Sequence, residues 1–108
     1  MIAPMAAVSM PATRPSEALA RNRDAILELA RQFGVSNVRV FGSVARGDDT
    51  ADSDLDLLVD PGTETSLLDL ARLEVAAEGL LGLSVDVVTP LGLSPRHRDS
   101  ILQSARLL

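Results

Sequence analysis

Residues 54–60, Asp-Leu-Asp-Leu-Leu-Val-Asp, leave the backbone little choice. Acidic and aliphatic side chains alternate there with a period of two, which suits a strand with one face in a core. Leu55, Leu57 and Val59 face one way, and Asp54, Asp56 and Leu58 face the other. Asp54 and Asp56 then share a face, about 6.5 Å apart along the backbone. At an effective dielectric of about 20, two such bare carboxylates repel by about 2–3 kcal/mol. A half-buried strand rarely keeps that penalty for stability alone. A divalent cation would turn the repulsion into attraction.

The flanking segments supply what would hold such a strand. Upstream, Ser16 suits an N-cap and Glu17 a first helical turn. Leu19, Ile26, Leu29, Ala30 and Phe33 follow at helical spacing, and Gly34 ends the helix. Ser36-Asn37 turns the chain into a short strand at 38–41, which Gly42 stops. Residues 43–53 read as a loop or a short helical turn, and Pro61-Gly62 ends the strand begun at Asp54. Ser66 with Asp69 predicts a capping box, Asp replacing the usual Glu. The helix behind it carries Leu70, Leu73, Ala77 and Leu80/Leu81 on one stripe and weakens at Gly79 and Gly82. A third strand at 84–89 puts Val85 and Val87 in the core and Asp86 on the opposite face. Pro90 closes it, and Ser94-Pro95 opens a last helix running to about Ala105.

This order predicts a single α/β domain over residues 16–108, preceded by a flexible tail at 1–15 broken by Pro4, Pro11 and Pro15. The tail lacks a charged region ahead of its apolar part, so it does not read as a signal peptide. Met5 and Met10 are alternative starts. No apolar run approaches the ~20 residues that span a bilayer, and a cytoplasmic location is expected. With 108 residues and only two aromatics, Phe33 and Phe41, one aliphatic core is available. The absence of cysteine excludes disulfides, zinc-thiolate sites and cysteine nucleophiles.

Charge is local. The net charge is −5, and all ten basic residues are Arg. Asp48, Asp49, Asp52, Asp54, Asp56 and Asp60 crowd into residues 48–60; without them the balance would be +1. That suits a metal site better than a generally acidic surface. No basic run offers a phosphate-backbone footprint, so direct nucleic-acid binding is not expected.

Several motifs compete for the acidic segment. Asp48, Asp49 and Asp52 fit a solvated turn and are assigned no chemistry. Asp52-Ser53-Asp54-Leu55-Asp56 opens like a calcium-binding EF-hand loop, but Leu57 stands where the Gly belongs and Thr63 where the closing Glu belongs. A P-loop fails for want of Lys, and a dinucleotide fingerprint fails at Val44. Gly42-Ser43 after a strand lets an anion approach the backbone and adds a hydroxyl donor. Alone, it is an ordinary turn. Asp86 gains meaning only if its strand lies beside that of Asp54 and Asp56. Three carboxylates on adjacent strands could then hold two Mg²⁺ ions and a nucleoside triphosphate. Arg46 reads either as a surface charge or as a group that touches phosphate or braces the acidic loop, the second being favoured. His97, the only His, reads as solvent-facing between Arg96 and Arg98.

Taken together, Gly42-Ser43, Asp54-x-Asp56 and a later Asp86 resemble the nucleotidyltransferase superfamily that includes polymerase-β-like enzymes. Ala45-Arg46-Gly47, the run 52–56 and Val85-Asp86-Val87-Val88-Thr89-Pro90 resemble more narrowly its minimal nucleotidyltransferase (MNT) branch. The likeness covers roughly residues 17–106. It implies a nucleotidyltransferase fold, a short mixed β-sheet with helices packed on one side. It implies Mg²⁺-dependent transfer of a nucleoside monophosphate, with ATP as substrate. Gly42, Ser43 and Arg46 would bind the nucleotide. Asp54, Asp56 and Asp86 would be catalytic and ligate two Mg²⁺ ions, with Asp86 helping to deprotonate the acceptor. Many MNT proteins are antitoxins that adenylylate a tyrosine of a HEPN ribonuclease toxin, so the resemblance implies a HEPN-type toxin as partner, in an oligomer with it. A non-catalytic antitoxin acting by contact and a small-molecule (aminoglycoside-type) nucleotidyltransferase stay open as alternatives.

Overall fold

A computed structural model describes residues 13–108. The expected tail at 1–15 lies almost wholly outside the described residues. The chain runs α1 (Pro15–Arg21), α2 (Arg23–Gln32), β1 (Val35–Phe41), α3 (Gly42–Arg46), β2 (Leu55–Pro61), α4 (Leu67–Leu81), β3 (Val85–Val88), a 3-10 turn (Pro90–Gly92), α5 (Arg98–Ser104) and β4 (Arg106–Leu107). The sheet order is β3-β2-β1-β4. β2 pairs in parallel with β3, while β1 runs antiparallel to both β2 and β4. The sheet is thus mixed, and α1, α2 and α4 pack on one another and on one face of it.

The core is aliphatic. Leu55, Leu57 and Val59 of β2 are fully buried with Val85 of β3, Ile26 of α2, and Leu73 and Ala77 of α4. Each buried Leu contributes roughly 1.5–3 kcal/mol by leaving water. Leu58, on the opposite face of β2, is buried as deeply, so that face is not polar throughout. In β1, Val35 and Val38 are both buried although three positions apart. An extra residue makes this possible: Ser36 opposes Asp60 and Arg39 opposes Leu58, with Asn37 left-handed at φ 53° between them. Arg39 of β1 reaches across to Asp60 at 2.5 Å.

Local signals set most boundaries. Ser66 accepts from the Asp69 N–H at 3.1 Å and Asp69 accepts from the Ser66 N–H at 2.9 Å, closing the expected capping box. Gly82 caps α4 in the left-handed region. Other boundaries differ from expectation. The first helix begins at Pro15 with Arg14 as N-cap, and it breaks at Asn22. There Nδ2 donates to the Ala18 carbonyl at 2.8 Å, a side-chain competitor to the helical ladder. β2 starts at Leu55, leaving Asp54 just ahead of the strand. The last helix starts at Arg98 rather than after Ser94, and the chain then adds β4. On the outer edge of β3, Glu78 accepts from the Val85 N–H at 3.1 Å and Glu74 accepts from the Val87 N–H at 2.8 Å.

Candidate active site

The parallel ladder sets Asp56 of β2 directly opposite Asp86 of β3. The neighbouring pairs, Leu55–Val85 and Leu57–Val87, point into the core and fix that register. A slip of one residue would turn a carboxylate inward. On its other side Asp56 opposes Phe41, the last residue of β1. Gly42 follows at φ +72°, where a side chain is strained. A Cβ there would collide with Asp56 Oδ2 and lie 3.4 Å from its Cγ. Only glycine therefore lets β1 turn into α3 against this carboxylate. Ser43 is half-buried in the first turn of α3, and Asp54 is exposed one residue before β2. Asp86 is exposed as well.

The Asp56 carboxyl is pushed up to about 6 from its ordinary 3.8. Burial is the largest cause, followed by the charges of Asp86 and Asp54 and a hydrogen bond with Asp86; Arg46 pulls the other way. The charges of Asp54 and Asp86 thus both act on the Asp56 carboxyl. Arg46 is exposed, and its Nε donates to Asp48 at 3.3 Å. With Gly42 it lines a cleft of about 460 Å³ whose far wall is α5. His97, read from sequence as solvent-facing, is exposed but stands on that wall.

Among the described residues, no three acidic or histidine side chains form a ready-made cation cage. Mg²⁺ seldom asks for one: it binds through one or two carboxylates and completes its shell with water and substrate phosphates. A mutually repelling acidic trio beside a glycine that leaves room over Asp56 suits that mode. Asp49, by contrast, is 5% exposed and accepts from the Ser16 N–H at 2.9 Å. Burial opposes its charge, but hydrogen bonds from Ser16 and its own N–H, together with Arg14, hold its carboxyl below the usual range. It ties the start of α1 to the loop between α3 and β2. Nothing in the local sequence announces a contact between residues 33 apart.

A family model for the nucleotidyltransferase domain matches residues 23–108, which include every residue of this site. The chain belongs to that family and is a nucleotidyltransferase. It is 43% identical over 76 residues to the protein adenylyltransferase MntA of Thermococcus cleftensis, across 70% of this chain and 77% of that protein. Among solved structures, one described as a minimal nucleotidyltransferase superposes with a TM-score of 0.78 at 52% identity, covering 86% of this chain and 95% of the other. A toxin–antitoxin complex with AMP-PNP shares the fold at a TM-score of 0.68 and 20% identity, over 80% and 71% of the two chains. Among the described residues, no helix is long and apolar enough to cross a membrane.

Proposed function

We propose that this chain is an antitoxin that transfers AMP from ATP to a tyrosine of a partner HEPN ribonuclease toxin and so silences it. The observation that carries the chemistry is the register of β2 on β3, which aligns Asp56 with Asp86 beside the open backbone of Gly42. The partner assignment draws on the MntA relative and on the shared fold of a toxin–antitoxin complex.

In this reading Gly42, Ser43 and Arg46 bind the triphosphate, and Asp54, Asp56 and Asp86 hold Mg²⁺. The bound ions would neutralise phosphate charge and lower the pKa of the acceptor hydroxyl. Asp86, exposed at the edge of the trio, takes the hydroxyl proton. Asp56, half-buried and fixed from the core side, gives the site its rigid centre. The protein's share of catalysis is positioning and fixed charge.

The test is incubation with the proposed HEPN toxin partner, ATP and Mg²⁺, followed by intact mass and peptide mapping. The expected result is a gain of whole AMP units on a tyrosine, lost with Asp54→Asn/Asp56→Asn. A toxin silenced equally by wild type and by that double variant, without mass gain, would replace catalysis with inhibition by contact.

A further inference from the structure

The cleft beside Gly42 has two walls of different origin. Phe41, Gly42 and Arg46 come from the end of β1 and from α3. His97, Ser100 and Ser104 come from α5 and the residue that caps it. Their spacing of three and four places them on one helical stripe. At about 460 Å³ the space lies within the range of small-molecule sites. No carboxylate lines it, although that of Asp56 abuts Gly42, one of its lining residues. A polyanion held at the acidic trio through a cation can extend into this cleft, whose lining carries no carboxylate, although Asp48 pairs with Arg46 beside it. It meets Arg46 and His97 there. The His97 side chain makes no capping bond to α5, so its ring is not committed to holding the helix.

We infer that α5 forms the second wall of the triphosphate site and that His97, with Ser100 beside it, binds the β- and γ-phosphates that leave as pyrophosphate. This rests on the nucleotidyl-transfer reading above. In that transfer the acceptor hydroxyl oxygen bonds to the α-phosphorus. The bond from that phosphorus to the oxygen bridging to the β-phosphate breaks, its electron pair leaves with pyrophosphate, and the hydroxyl proton passes to Asp86. Charge builds on the departing β-phosphate, where a fixed N–H donor is most effective.

Calorimetric titration of wild type, His97→Ala and His97→Arg with Mg²⁺ and α,β-methylene-ATP, and separately with AMP, tests this. Losing a charge-assisted contact to phosphate should weaken the triphosphate analogue about tenfold in His97→Ala. AMP binding should stay within about twofold, and His97→Arg should retain the analogue. Ser100→Leu, which narrows the same wall, should repeat the selective loss. Equal weakening of both ligands, or of neither, overturns the inference while leaving the proposed function standing. A wild-type protein that binds neither ligand overturns both.

Discussion

The core face of β2 and the part of its other face around Asp56 obey opposite rules. On one, Leu55, Leu57 and Val59 are fully buried against helices α2 and α4. On the other, burial first and then the charges of Asp86 and Asp54 push the Asp56 carboxyl up. The comparison teaches a division of labour: one face supplies the stability that lets the other be electrostatically unfavourable. Strand alternation delivers both from seven residues.

Substitutions that act on one face alone probe this division. The largest effect is expected from Asp56→Asn on the proposed AMP transfer, a fall of about a thousandfold, equivalent to about 4 kcal/mol of transition-state stabilisation. Single-turnover rates with the proposed toxin partner measure it. Next comes Leu57→Ala on the core face, which should lower unfolding free energy by about 3 kcal/mol in urea titrations through lost burial and a residual cavity.

Asp56→Asn should do the opposite to stability. The folded-state pKa of about 6 exceeds the ordinary 3.8, so the folded chain holds the extra proton between those values. Stability from that proton is fully present below 3.8 and is lost as pH rises through about 6. Without Mg²⁺, the variant should therefore be more stable than wild type at pH 7–8 by about 1–2 kcal/mol, after allowance for solvent screening. Thermal melts across pH 4–8 would register this as a flatter profile and a midpoint raised by several degrees. A midpoint unchanged or lowered at pH 8 would contradict the account of Asp56. The smallest effect belongs far from either face. Ser66→Ala should cost about 1 kcal/mol by removing one half of the capping box, with transfer activity unchanged.

Sequence legibility divides along similar lines. The alternation of residues 54–60, the Ser66/Asp69 cap and the outward face of Asp86 could be read directly, because each is set by neighbours a few residues away. The adjacency of Asp86 and Asp56 needed one assumption, that β3 lies beside β2, and the parallel pairing supplies it. What escaped was long-range or irregular. β4 has only two residues, too few for any periodicity, and exists through its pairing with β1. The extra residue at Asn37 leaves no mark except an Asn, which tolerates φ > 0. The break at Asn22 escaped too, although an Asn inside a helical pattern is a local competitor to the ladder. The buried contact of Asp49 with Ser16 was not signalled at all, since an Asp in a turn is ordinary.

The glutamates along β3 have a consequence for assembly. Strands at the border of a sheet usually present free amides that invite another polypeptide to zip on. Here Glu74 and Glu78 occupy the Val85 and Val87 amides, so α4 seals that border with its own side chains. A newcomer would have to expel two charged groups before gaining a ladder. The sheet is thereby kept from lengthening on this flank, and a companion molecule docking here must grip by side-chain fit rather than by continuing the pleat.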